Sequence, residues 1–461
     1  MSSNDFKTLN LSAPLLSSLD DLGYVRMTPI QEQCLPHVLG KRDLIAQAKT
    51  GSGKTAAFAL GLLNQIDVTR DKIQGLVLCP TRELADQVGN EIRRLAKFIP
   101  NVKVLTLCGG RPLRPQAASL DYGAHIIVGT PGRIDDHLGK ETINFDDLKI
   151  LVLDEADRML DMGFYEIISS IIQALPKRRQ TLLFSATYPD TIKQMSADFQ
   201  DKPIEVKLAS HHSADNIKQG YFVVKNEEDR LLCVKTILSQ HEFNSSIVFC
   251  TTKVQCDDLV HELQDIGLQA LAIHGDLEQR DREEVLVLFA NKTCTILVAT
   301  DVASRGLDIK DVELVLNYQL ARSPEIYVHR IGRTGRADSK GQAFSLVTNY
   351  EQRRIAEIEA YQKAPIPCEE LGKLPKIKTT GKSKMATLKI AGGRKNKISK
   401  GDILGALTSS GSTITGSDVG KIDIFDFHSY VAMEEQFCTK ALQILNDKPI
   451  KGRSFKVKRV F

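Results

Sequence analysis

Short apolar runs alternate with amphipathic stretches twice over along this chain, and that rhythm narrows the possible folds more than any other property of the sequence. Between 43 and 205 the runs are "DLIAQA", "GLVLCP", "KVLTLCGG", "HIIVGTP", "ILVLDEAD" and "TLLFSAT". Each is too short for a helix and reads as a strand buried on both faces. Helical patterns such as "RELADQVGNEIRRLAKFI" lie between them. Strands and helices in strict succession predict a parallel sheet covered on both sides. A polar stretch, "KLASHHSADNIKQG" (207–220), interrupts the rhythm, which resumes through "GYFVV", "SIVFCTT", "LQALAIHGD", "TILVATD", "LVLNYQL" and "GQAFSLVT". The expectation is an α/β protein with two tandem parallel-sheet domains, 1–209 and 216–363.

Beyond 363 the character changes. "PIPCEELGKLPKIKTTGKSK" is rich in Pro, Gly and Lys and lacks an apolar period, so 364–384 reads as a basic linker. Residues 385–461 read as a small α+β unit. "MATLKIAGG" is a strand, "SKGDILGALTSS" a helix, and a second strand falls near "STITGSDVG". "KIDIFDFHSYVAM" alternates as a third strand, "FCTKALQILND" is a helix and "SFKVKRVF" the last strand, a βαββαβ order.

Charge separates this unit from the rest. The chain of 461 residues carries a net +4, yet 371–461 hold 18 Lys and Arg against 7 Asp and Glu, leaving the remainder at −7. A basic module on an acidic body points to a polyanionic partner, nucleic acid first. No apolar run approaches the ~18 residues that cross a bilayer. The opening "MSSNDFKTLN" has no basic segment followed by an apolar one, and the nine Cys form no Cys-x-x-Cys pair. A reducing, cytoplasmic protein with no membrane partner, no zinc site and no disulfide framework is expected.

The chemistry sits at the ends of the predicted strands. "AKTGSGKT" (48–55) joins a strand to a helix and fits the phosphate-loop pattern, with Ala48 in place of the first Gly. Backbone N–H groups of such a turn cradle phosphates at a helix N-terminus. Lys54 reaches the β and γ phosphates and Thr55 offers a hydroxyl to Mg²⁺. "VLDEADRML" (152–160) ends a strand in acids. Alone, these could be an acidic loop. With a phosphate loop upstream they read as catalytic: Asp154 toward Mg²⁺, Glu155 toward the attacking water. "HRIGRTGR" (329–336) reads either as a solvated basic turn or as arginine fingers on the transferring phosphate, and the phosphate loop favours the fingers.

The ordered set of motifs resembles the DEAD-box family of superfamily 2 RNA helicases over about residues 1–363. "FKTLNLS" and "GYVRMTPIQEQ" resemble the family's adenine-reading motif, "AKTGSGKT" its form of the phosphate loop, "DEAD" (154–157) its name. "PTRELA" (80–85), "GG" (109–110), "TPGR" (130–133), "SAT" (185–187), "IVFC" (247–250), "HGDLEQRDR" (274–282) and "ATDVASRGLDI" (299–309) complete the set.

That resemblance implies two RecA-like domains and an RNA-dependent ATPase. Gln31 would read the adenine edge with Phe6 beside the base, and Ala48, Lys49, Thr50, Gly51, Ser52, Gly53, Lys54 and Thr55 would hold the phosphates. Asp308 would contact the ribose, Arg333 and Arg336 would be the fingers, and Thr55 and Asp154 would hold Mg²⁺. Pro80, Thr81, Arg82, Gly109, Gly110, Thr130, Pro131, Gly132, Arg133, Arg282, Thr300 and Arg305 would face RNA. Asp157, Ser185, Thr187 and His329 would couple hydrolysis to RNA work. Contacts mainly to phosphate and 2′-OH would make the core tolerant of sequence.

The tail resembles an RNA-recognition motif. The branch of the family that carries such a tail implies recognition of a hairpin in the peptidyl-transferase region of 23S rRNA, and work on 50S precursors in ribosome biogenesis, as a monomer. Arg394, Lys395 and Lys397 in "GGRKNKISK" and Lys451, Arg453 and Lys456 in "KGRSFKVKR" are the tail's RNA candidates. Asp423 and Asp426 depart from the aromatic and basic signature of such motifs. Phe425, Phe427 and Tyr430 remain, and two readings of them stay open, base-stacking platform or core. Two other function classes are weighed. An ATP-controlled RNA clamp is disfavoured by the intact hydrolytic set, and a DNA helicase by the RNA-type motifs and tail.

Overall fold

A computed structural model describes residues 4–48, 51–188, 190–208, 216–240, 243–301, 309, 312–335, 340–370, 383–409 and 413–461. The chain forms two compact units, the first ending near 211 and the second running on to the C-terminus.

The first unit holds β1 (Leu44–Gln47), β2 (Gly75–Leu78), β3 (Val104–Leu107), β4 (Ile126–Gly129), β5 (Ile150–Asp154), β6 (Gln180–Ser185) and β7 (Ile204–Lys207). They pair in parallel in the order β3-β4-β2-β5-β6-β1-β7. Successive strand residues point to opposite faces, and both faces are covered. Val77, Val128 and Val152 join one core with Phe58 and Phe184, whose rings lie 5.3 Å apart. Leu76, Leu78, Ile127, Leu151 and Leu153 join the other, with Ile134, Met159 and Ile168. Double-sided burial is the reason these strands read as unbroken apolar runs.

The second unit repeats the design with β8 (Ile217–Val223), β9 (Ser246–Cys250), β10 (Ala270–Ile273), β11 (Ile296–Thr300), β12 (Leu314–Asn317), β13 (Gly341–Val347) and β14 (Cys368–Glu369). All are parallel, in the order β10-β11-β9-β12-β13-β8-β14. The edge strand β14 is drawn from the stretch read as linker.

The tail is a four-stranded antiparallel sheet of β15 (Met385–Ile390), β16 (Val419–Ile424), β17 (Ser429–Glu434) and β18 (Val457–Val460), ordered β16-β17-β15-β18. Helices Lys400–Leu407 and Glu435–Asp447 cover one face, packing Ile403, Leu407, Ala441 and Leu445 on Leu388 and Val431. The βαββαβ order stands, with one correction. "KIDIFDFHSYVAM" is two strands and a turn, because the Phe425 N–H donates to the His428 carbonyl at 2.9 Å and reverses the chain. The apolar alternation runs straight through that turn, which hid it.

The tail's other face is also occupied. Thr387, Lys389 and Tyr430 lie against helix Gln279–Ala290 and the turn after it in the second domain. The Tyr430 hydroxyl donates to Glu284 at 2.8 Å, and Lys389 forms an ion pair with the same carboxylate. Thr387 meets the Asn291 amide at 3.2 Å and the Thr293 hydroxyl at 2.7 Å. Val287, Leu288, Cys294, Tyr430 and Val460 close an apolar core across the joint.

Candidate functional site

In the first domain every predicted motif but the one holding Phe6 and Gln31, which precedes β1, stands at the carboxyl end of a strand, where open α/β sheets bind ligands. The sheet order sorts them into halves. β1, β6 and β5 are neighbours and lead into the phosphate loop, "SAT" and "DEAD". β2, β4 and β3 are neighbours and lead into "PTRELA", "TPGR" and the glycine pair.

The phosphate loop runs from Ala48 at the end of β1 to Lys54, first residue of helix Lys54–Gln65. Gly51 and Gly53 have φ of 85° and 97°, left-handed values at which a side chain is strained. A Cβ on Gly53 would also sit 2.6 Å from the Gln31 amide nitrogen. The buried Lys54 donates to the Ala48 carbonyl at 2.7 Å across the loop, and Thr55 is half-buried behind it. Gln31 is buried. Its oxygen accepts from the Thr28 N–H at 2.9 Å and its amide donates to the Gly53 carbonyl at 3.1 Å. The Thr28 hydroxyl donates to the Ser52 carbonyl at 2.8 Å. Here Gln31 therefore braces the phosphate loop. Phe6 is buried in the core, edge-on to Tyr24 at 6.2 Å.

Asp154 ends β5, 3% exposed. Burial pushes its carboxyl up to about 7, opposed by the Lys54 charge and reinforced by Glu155. Glu155 takes a φ of 54° ahead of helix Ala156–Asp161 and forms a buried ion pair with Arg158 at 2.7 Å. Arg158 escaped the sequence reading; its signal was the acid three residues before it on one helical face.

Asp157 ties "DEAD" to "SAT". Its Oδ2 accepts from the N–H groups of Ala186 and Thr187, at 3.2 and 2.9 Å, and from the Thr187 hydroxyl at 2.9 Å. The Ser185 hydroxyl donates to the Thr187 carbonyl at 2.7 Å, and the Ser185 carbonyl accepts from the Ala48 N–H at 3.0 Å. "DEAD", "SAT" and the phosphate loop thus form one continuous hydrogen-bonded strip.

The other half of the edge is equally connected. Thr81, after buried Pro80, caps helix Arg82–Leu95 by accepting from the Leu84 N–H at 3.3 Å. The Arg82 guanidinium lies over Gly109 and Gly110, where a Cβ on Gly110 would meet it at 2.1 Å. Thr130 precedes helix Pro131–Gly139, and a Cβ on Gly132 would meet open space. Arg133 donates to the Arg111 carbonyl at 2.9 Å.

In the second domain, Thr300 ends β11 and Arg282 is half-buried on helix Gln279–Ala290. His274 follows β10 and meets Asp257 at 3.0 Å. His329 and Arg330 lie in the last turn of helix Pro324–Ile331. Arg333 follows, 6% exposed, its carbonyl accepting from the Val312 N–H at 3.2 Å. Arg330 is a buried clamp: it pairs fork-to-fork with Asp301 at 2.6 and 2.8 Å and donates to Asn317 and to the Gln319 carbonyl. Lys49, Thr50, Arg305, Asp308 and Arg336 lie outside the described residues.

In the tail, Arg394, Lys395, Lys397, Lys451, Arg453 and Lys456 are all exposed. The two basic runs meet where the Lys451 ammonium donates to the Lys397 carbonyl at 3.1 Å. The aromatics divide: Tyr430 is fully buried in the joint with the second domain, Phe425 is half-buried and Phe427 is exposed.

Among the described residues no cluster of three or more His, Cys, Asp or Glu could cage a metal, and no helix is long and apolar enough to cross a membrane. One buried carboxylate facing a phosphate loop instead fits a cation held partly by nucleotide phosphates.

Comparison with known proteins agrees with this geometry. Residues 28–195 match the DEAD/DEAH box helicase family, 229–338 the helicase conserved C-terminal domain and 387–459 the DbpA RNA-binding domain. The ATP-dependent RNA helicase DbpA of Escherichia coli (strain K12) is 48% identical over 454 residues, covering 98% of this chain and 99% of that protein. DbpA of Bacillus subtilis (strain 168) is 38% identical over 477 residues, with the same coverage. Saccharomyces cerevisiae Dbp5 bound to RNA and ADP BeF3 matches with a TM-score of 0.70 at 31% identity, over 79% of this chain and 96% of that one. With nucleotide and RNA motifs on one sheet edge and a DbpA-type module at its end, this chain belongs to the DEAD-box ATP-dependent RNA helicases, and is an RNA-dependent ATPase.

Proposed function

We propose that the tail anchors this helicase to a hairpin in the peptidyl-transferase region of 23S rRNA, and that the core opens short duplexes nearby in 50S precursors. The observation that carries the core mechanism is the strip from Ala48 through Ser185 and Thr187 to Asp157. It gives a change at the phosphates a short path along the sheet edge toward the half that carries the RNA-type motifs.

In this reading Lys54 leaves the Ala48 carbonyl for the β and γ phosphates, and the Gly51–Gly53 turn offers them its N–H groups. Thr55 and Asp154 would hold Mg²⁺, which would supply positive charge at the transferring phosphate. Glu155, held by Arg158, orients and deprotonates the attacking water. Arg333 and Arg336 supply positive charge from the second domain, with Asp308 on the ribose and Gln31 and Phe6 on the adenine. Thr81, Arg82, Gly109, Gly110, Thr130, Arg133, Arg282, Thr300 and Arg305 hold RNA by its backbone, and the tail's cations hold the anchoring hairpin.

The test is ATPase stimulation by fragments tiled across ribosomal RNA, with DNA of matching sequence as control. One 23S fragment should stimulate at far lower concentration than the rest. Uniform stimulation by all fragments would remove the 23S assignment, and equal stimulation by DNA would remove the RNA-specific grip.

A further inference from the structure

RNA-recognition motifs stack bases on the open face of their sheet. In this tail that face meets the second domain through Thr387, Lys389 and Tyr430, so a stacking surface has to lie elsewhere. Phe427 is the candidate. Its ring is 71% exposed, in the turn between β16 and β17. A single exposed phenylalanine is ordinary, but the construction beneath this one is not loose. The rings of Phe425 and His428, on either side of it, stack at 4.9 Å and 14°, and Phe425 meets Tyr430 edge-on at 5.8 Å.

A cationic loop is fastened to the same turn, backbone to backbone. The Arg394 N–H donates to the Phe425 carbonyl at 2.8 Å and the Lys395 N–H to the Asp426 carbonyl at 2.9 Å. A Cβ on Gly393 would lie 2.1 Å from that Phe425 carbonyl, so glycine is what lets the loop approach. The Asp426 carboxylate accepts from Arg394 Nε at 3.0 Å and orients the guanidinium. A bare ring is thus held beside several exposed cations on a rigid support. A protein partner would gain little from one exposed ring flanked by cations. A nucleotide strand offers what this corner complements, a π-face with negative charge on both sides.

We propose that this corner is a base-stacking site: Phe427 takes the face of one unpaired base of a structured RNA, while Arg394, Lys395 and Lys397 hold the flanking phosphates. The inference rests on the tail being the RNA anchor and adds the residue that selects an unpaired loop over a duplex.

The chain contains no tryptophan, so Phe427→Trp in the full-length protein places a single indole at the turn. Its fluorescence should be quenched by a 23S stem-loop from the peptidyl-transferase region and not by the same stem as a blunt duplex. Phe427→Ala should weaken stem-loop binding roughly 5- to 100-fold with the salt dependence unchanged. Lys395→Ala or Lys397→Ala should instead lower the slope of log affinity against log salt by about one each. Unchanged binding by Phe427→Ala beside a weakened Lys395→Ala would overturn the stacking site and leave the anchor standing. Indifference of all three variants would overturn both. An indole unquenched by bound stem-loop would also overturn the stacking site.

Discussion

The residues proposed as catalytic in the first domain are held by one another as much as by the fold. Lys54→Ala should abolish ATP turnover, measured as phosphate release, because the phosphates lose their main cation. Glu155→Gln keeps the shape and should retain ATP and RNA binding while turnover falls by about 10²-fold or more. Arg158→Ala is the variant that geometry adds. It leaves Glu155 charged, buried and alone, which costs about 3–5 kcal/mol. Its melting temperature should fall well below that of the parent. Adding Glu155→Gln should recover part of the loss, since a neutral amide needs no counter-charge. A parent-like melting temperature for Arg158→Ala would show the pair to be solvated. In the second domain, Arg330→Ala should unfold or loosen the domain, because Asp301 and Asn317 lose a buried partner. Arg333→Ala should slow turnover, and kinetics beside circular dichroism separates a loss of charge at the phosphate from a loss of fold.

At the scale of elements, the joint between helix Gln279–Ala290 and the β15–β17 face of the tail turns on Glu284. Burial alone would raise its carboxyl. Lys389 and Tyr430 outweigh burial and hold it below the usual carboxylate range. A carboxyl with a depressed folded value adds stability above its unfolded value of about 4.3 and loses it as pH falls through the folded value. The joint should therefore be constant across neutral pH and weaken only in acid. Glu284→Ala should destabilise it by about 1–3 kcal/mol at neutral pH. Exchange of the Thr387 and Lys389 backbone amides, or a distance probe between 284 and 430, would report the release. Equal protection in variant and parent would place the holding energy in Val287, Leu288 and Val460 instead. The element that misled the sequence reading is next door. "KIDIFDFHSYVAM" keeps an apolar alternation through its turn, and only the pairing of β16 with β17 shows where the chain reverses.

At the scale of the molecule, a tail that anchors RNA as proposed would raise the concentration of nearby duplex at the core. Docking strengthens this, because a fixed anchor also fixes the direction in which the bound RNA leaves. Glu284→Ala should thus keep the affinity of the tail for its stem-loop while ATPase stimulation by that stem-loop carrying a helical extension falls several-fold. Removing residues 385–461 should abolish discrimination between this RNA and a scrambled control. It should also expose Val287 and Leu288, lowering the stability of the second domain. Discrimination that survives the removal would place specificity in the core.

The sequence by itself determined the two parallel-sheet domains, the basic α+β tail and the edge on which the chemistry stands. Those properties are written locally, in apolar runs buried on both faces, in glycines that turn a strand into a helix, and in acids that end a strand. Tertiary structure alone decided which side chains of a motif are free for chemistry. Arg330 stands in a basic run that reads as fingers, yet it is a clamp, because Asp301 just past β11 and Asn317 on β12 arrive beside it. Gln31 braces the phosphate loop through Gly53, a contact no local pattern announces. Tyr430 and Phe427 lie three residues apart in the same stretch, yet one is buried and the other bare. Glu284, far away in sequence, accepts from the first, while among the described residues the second stays 71% exposed. A side chain's freedom is set by what packs against it, and those partners come from distant segments that leave no periodic trace near the residue they hold.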